Sequence, residues 1–71
     1  MKTIGQVMRE RRMEAGMTMK ELAAKAGVNV NSLGAYERDQ ACPGAFSLIS
    51  LAETLGISID EYLGLQNGGK R

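Results

Sequence analysis

The chain has 71 residues, about the size of one small domain, with nine Lys plus Arg, eight Asp plus Glu, no His, one Cys and 44% apolar residues. One Cys excludes an internal disulfide, the lack of His excludes a His-based catalytic dyad or a zinc site with His, and no apolar run approaches the roughly 18 residues that span a bilayer. With no signal-peptide pattern at the start, the composition points to a reduced, cytoplasmic binding domain with no catalytic residues, cofactor, metal or small-molecule ligand.

Helix punctuation sets the elements. Thr3 with Gln6 fits a capping box, in which hydroxyl and later side chain satisfy free backbone N–H groups reciprocally. It predicts a helix over 3–15, stopped by Gly16. Thr18 with Glu21 opens a second helix over 18–26, stopped by Gly27. Asn29 is the natural N-cap of a third helix, from Val30 to about Arg38. That helix is the weakest by propensity. Val30, Asn31 and Ser32 are poor formers, and Gly34 in its interior costs roughly 1 kcal/mol relative to Ala. Tertiary contacts must hold it. Residues 39–44 read as a loop, and 45–55 as a fourth helix stopped by Gly56. Ser58 with Glu61 opens a short fifth helix over 58–64, and 65–71 read as a flexible tail. The fold class is therefore all-α, one domain over 1–64.

One core accounts for the apolar positions. Leu48, Leu51, Ala52 and Leu55 follow the i, i+3, i+4, i+7 pattern of a buried helical stripe. Ile4 and Met8 serve the first helix, Leu22, Ala23 and Ala26 the second, and Leu33 with Tyr36 the third. Val28 and Ile57, each one residue past a terminating Gly, plug the ends. Met8 and Met17 fill core gaps, with Met13 and Met19 partly exposed.

The net charge of +1 hides a division. Residues 1–38 carry seven cations and four anions, a balance of +3. Residues 39–63 carry four anions and no cation, and the tail adds Lys70 and Arg71. Such asymmetry suits a molecule that turns one face to an anion.

The functional constellation lies in 18–38. Two short helices meet at the tight turn Ala26-Gly27-Val28, a helix-turn-helix. Ala23 is small where the helices approach, Gly27 permits the turn, and Val28 and Leu33 anchor the second helix. So braced, that helix can enter a major groove about 12 Å wide.

These residues, with Ile4-Gly5, Arg12, Gly16-Met17-Thr18, Glu21-Leu22-Ala23, Glu37, Pro43, Leu48, Leu51-Ala52 and Leu55-Gly56-Ile57-Ser58, resemble the Cro/cI-type (XRE-type) helix-turn-helix family over residues 4–63. The resemblance implies a compact five-helix lambda-repressor-like domain. It also implies a sequence-specific DNA-binding transcriptional regulator, a repressor of a palindromic operator bound as a homodimer. Arg12 and Glu37 match a structural ion pair between helices 1 and 3. The base-reading positions are Val30, Asn31 and Ala35, with Ser32 beside them. Asn31 is the strongest candidate, since an amide bonds adenine bidentately, while Val30 and Ala35 offer apolar contact. Phosphate contacts fall on Lys20, Asn29, Arg38 and Gln40, and on the position held by Met19. Cys42, Phe46, Ile49 and Ile59 form the expected dimer interface.

Three residues depart from the family pattern. Met19 replaces a DNA-contacting Gln, Gly34 stands where a small polar residue is usual, and Asp39 where Gly is usual, placing an acid near the expected DNA surface. They predict weak or unusual DNA affinity. They also sustain an alternative: a protein-interaction module on the same fold, such as an antitoxin component or partner-binding regulator.

Overall fold

In a computed structural model that describes residues 2–58 and 60–61, four α-helices appear, and no strand is present among the described residues. They are α1 (Ile4–Glu14), α2 (Met19–Ala26), α3 (Val30–Glu37) and α4 (Ala45–Leu55). The fifth helix expected over 58–64 and the tail over 65–71 fall largely or wholly outside the described residues. Only the start of the former is described, where the Glu61 N–H donates to Ser58 Oγ at 3.0 Å.

The starts of the helices follow local hydrogen-bond chemistry. Both capping boxes form: Thr3 Oγ1 accepts from the Gln6 N–H at 3.1 Å and Gln6 Oε1 from the Thr3 N–H at 2.9 Å, and the Thr18–Glu21 pair does the same at 3.1 and 2.8 Å. Asn29 Oδ1 accepts from the N–H groups of Asn31 and Ser32 at 2.8 and 3.3 Å.

The ends share a second motif. After α1, α2 and α4, a glycine takes a left-handed conformation near φ +71° (Gly16, Gly27, Gly56). The next N–H then reaches back five residues: Met17 to Arg12 O, Val28 to Ala23 O and Ile57 to Ala52 O. After α3 the same turn forms, with Asp39 and Gln40 in those two places. Asp39 has φ +60°, and the Gln40 N–H donates to Ala35 O at 2.9 Å.

The core joins all four helices. Leu22, Leu33 and Leu51 are fully enclosed, ringed by Val7, Met8, Ala23, Ala26, Ala52 and Ile57. Ile4, Met17, Val28, Tyr36, Leu48 and Leu55 pack against that centre. Met13 is exposed and Met19 is at the edge of exposure. Val7 completes an α1 stripe with Ile4 and Met8 that the residue pattern alone had left one short. Gly5 is also buried, because α1 crosses the end of α3 there. A side chain at Gly5 would collide with Tyr36 O and stand 2.8 Å from Glu37 O and Asp39 Oδ1.

Candidate nucleic-acid interface

The turn between α2 and α3 occupies only Gly27, Val28 and Asn29. Val28 is half-buried against the core and Leu33 is enclosed, so the inner face of α3 is fixed. Its outer face is left open: Asn31 is exposed, and Ser32 and Ala35 are half-exposed. Val30 is also half-buried, but it packs against the core, so only part of its surface remains for any external contact.

An ion pair sets the orientation of α3. Arg12 on α1 donates from Nε to Glu37 Oε2 at 2.8 Å and from Nη2 to Glu37 Oε1 at 3.2 Å. Its remaining Nη1 donates to Met17 O at 2.9 Å, at the α1–α2 turn. The side chains are only 13% and 5% exposed. A buried carboxylate is costly without such partners, and no buried side-chain polar atom among the described residues lacks one. This fork ties α1, the first turn and the end of α3 together.

A second tie joins the same elements and was not legible as such in the sequence. Asp39 Oδ2 accepts from Thr3 Oγ1–H at 2.5 Å, and Oδ1 accepts from the Gly5 N–H at 3.1 Å. The carboxylate thus meets the N-terminus of α1, where the helix dipole favours a negative charge. Its charge is engaged within the protein, which alters the expectation that it simply adds an acid to the DNA side. Asp and Asn tolerate the left-handed region better than other non-glycine residues. An Asp at the place of a helix-terminating Gly was therefore the available signal.

The positive charge on this half is partly engaged too. Lys2 pairs with Glu10 at 2.6 Å, Arg11 Nη2 with Glu61 at 2.7 Å, and Arg12 with Glu37. Arg9, Lys20, Lys25 and Arg38 make no ion pair among the described residues, and all four are exposed. Lys20 lies in the first turn of α2, and Arg38 ends α3. Arg38 Nε donates to Gln40 Oε1 at 3.2 Å. The Asn29 carbonyl oxygen is spent on the α3 cap, which leaves its NH₂ as the available donor. Met19 sits at the first position of α2 with its side chain reaching solvent.

A buried fork bracing a short helix whose outer face is unpacked is the arrangement a helix-turn-helix requires, and a helix-turn-helix family profile matches residues 8–62. The chain belongs to the XRE-type (Cro/cI-like) helix-turn-helix family. It is 35% identical over 69 residues to the HTH-type transcriptional regulator ImmR of Bacillus subtilis, a match that takes in 97% of this chain and 54% of that protein. It is 37% identical over 60 residues to the HTH-type regulator YobD of the same organism, covering 84% of this chain and 54% of that protein. To DdrOP3 of Deinococcus deserti, another HTH-type transcriptional regulator, it is 38% identical over 56 residues, covering 79% and 43%. The chain therefore spans about half the length of the curated relatives it matches. No solved structure matches it significantly.

Away from α3, the start of α4 carries an apolar surface. Phe46 is 88% exposed and Ile49 is 46% exposed, one turn apart. Ile49 lines a largely apolar groove with Ala45, Leu48, Ala52, Glu53, Ile57 and Ser58. Cys42 is exposed in the preceding loop, and Ile59 lies outside the described residues.

Proposed function

We propose that this chain is the DNA-binding part of a cytoplasmic, non-enzymatic transcriptional repressor that recognises a palindromic operator as a homodimer. The observation that carries the reading is the open outer face of α3, held in place from behind by the buried Arg12–Glu37 fork. In this reading α3 enters the major groove, with Asn31 as the principal base-reading residue. Ser32, Ala35 and the free part of Val30 stand beside it. Lys20, Gln40 and the Asn29 amide hold the phosphates, and Met19 contributes only apolar contact. Two subunits join through Cys42, Phe46, Ile49 and Ile59. The exposed Phe46 and Ile49, one turn apart on α4, support such a junction, since adjoining apolar side chains left in water mark interaction sites.

Selection from random duplex DNA, followed by a salt titration, tests this. The expected result is an enriched inverted repeat with half-sites about one helical turn, roughly 34 Å, apart. A log–log salt slope of several units should accompany it. No enrichment at low salt would overturn the reading and leave a protein-binding module on the same fold.

A further inference from the structure

Glycine is a poor choice inside a helix, yet Gly34 sits in the middle of α3. No close contact with another helix demands it. The nearest atoms to a side chain at that position belong to Arg38: a Cβ on Gly34 would stand 3.2 Å from Nη1 and 3.9 Å from Cζ. Helical side chains lean toward the N-terminus. The Arg38 guanidinium accordingly folds back one turn and lies over the bare backbone at Gly34.

Gln40 fixes its other edge. The left-handed turn at Asp39 returns the Gln40 N–H to Ala35 O, and the Gln40 side chain then accepts from Arg38 Nε at 3.2 Å. Nη1 and Nη2 make no other hydrogen bond among the described residues. Positions 31, 34, 35 and 38 are spaced i, i+3, i+4 and i+7, one stripe along the helix. Asn31 and Arg38 are both exposed on it. The guanidinium is therefore drawn onto the face that carries Asn31, away from the rim where a phosphate contact would be made.

We propose that Arg38 is a specificity-determining residue that reads a guanine in the major groove, with Gly34 as its seat and Gln40 as its positioning partner. The proposal rests on the DNA-binding reading above. The free Nη1 and Nη2 donors match the O6 and N7 acceptors of guanine, whereas a phosphate contact would carry no sequence information.

The test compares the intact chain with the Arg38→Gln and Gly34→Ala variants. Sites selected from random duplex DNA are followed by competition against every single-base change in the selected site. The intact chain should enrich a half-site with a required guanine. Arg38→Gln should lose that preference by on the order of 10-fold or more at one base pair per half-site, with a shift toward adenine, which Gln reads. Gly34→Ala should lose part of the same preference, at the same base pair, without any fall in melting temperature. Uniform weakening by Arg38→Gln across all sites, with a salt slope lower by about one per subunit, assigns Arg38 to a phosphate and overturns the proposal while DNA binding stands. An unchanged guanine preference in Gly34→Ala overturns the role of the seat. If the intact chain enriches no sequence, the DNA-binding reading fails and takes this proposal with it.

Discussion

Replacing Glu37 by Ala tests whether the Arg12 fork is what holds α3. The Glu37 carboxylate is 5% exposed and receives two hydrogen bonds from Arg12, at 2.8 and 3.2 Å. Its removal leaves a guanidinium that is 13% exposed with only Met17 O as partner. Breaking a buried pair from one side costs about 3–5 kcal/mol, because a charge is stranded out of water. A domain of this size has roughly 4–10 kcal/mol in total. Glu37→Ala should therefore lower the urea midpoint, followed by far-UV circular dichroism, by about 3–5 M at a slope near 1 kcal/mol/M. Glu37→Gln keeps an acceptor and should lose about half as much. The double variant Arg12→Met/Glu37→Leu removes both charges and should recover to within about 2 kcal/mol of the original chain, since the net worth of a buried pair against apolar side chains is small. A loss under 1 kcal/mol in Glu37→Ala, or a double variant no better than the single one, would refute this account of the fork.

Three further outcomes follow from the same geometry. Gly5→Ala would drive a methyl group into Tyr36 O and close to Glu37 O; such overpacking costs about 1–3 kcal/mol. The melting temperature should drop by at least 4 °C, and an unchanged melt would show that α1 and α3 do not meet there. Asp39→Ala should be less stable than Asp39→Gly by about 1 kcal/mol, because alanine at φ +60° is strained where glycine is not; equal stabilities would remove the left-handed turn from the account. Phe46→Ser should leave the melt of dilute protein nearly unchanged, since that side chain is 88% exposed, but abolish self-association in sedimentation velocity at micromolar concentration. Identical sedimentation of both forms would place any dimer contact elsewhere.

Most of the helix boundaries were written locally. Thr3 with Gln6, Thr18 with Glu21, and Asn29 each satisfy free N–H groups within three residues, so chain neighbours alone determine them. Glycines 16, 27 and 56 likewise terminate helices through their own backbone freedom. The Arg12–Glu37 positions were reachable only through the family resemblance, because nothing local joins residues 25 apart. Long-range backbone crossings left no pattern. Gly5 looks like an ordinary first-turn residue until Tyr36 O lies against it, and Asp39 looks like a stray acid until Thr3 and Gly5 meet it. Val7, by contrast, follows from local spacing, at i+3 from Ile4 on the stripe that also holds Met8.

The irregularities gather on the one helix that has to remain open. The three other helices end on a glycine followed by Met17, Val28 or Ile57, apolar side chains that turn into the core. If α3 ended the same way, its last turn would also be drawn inward. Asp39 and Gln40 form the same backbone turn, but their side chains go elsewhere, one to the start of α1 and the other to Arg38. A helix with poor intrinsic propensity can then be held by its ends and its inner face alone: Asn29 at the start, Leu33 and Glu37 behind, Asp39 at the finish. None of these ties uses the stripe of Asn31, Ala35 and Arg38. Strengthening α3 along that stripe, as Gly34→Ala would, should therefore raise stability without touching any of the ties, so any specificity lost with it must come from the stripe itself.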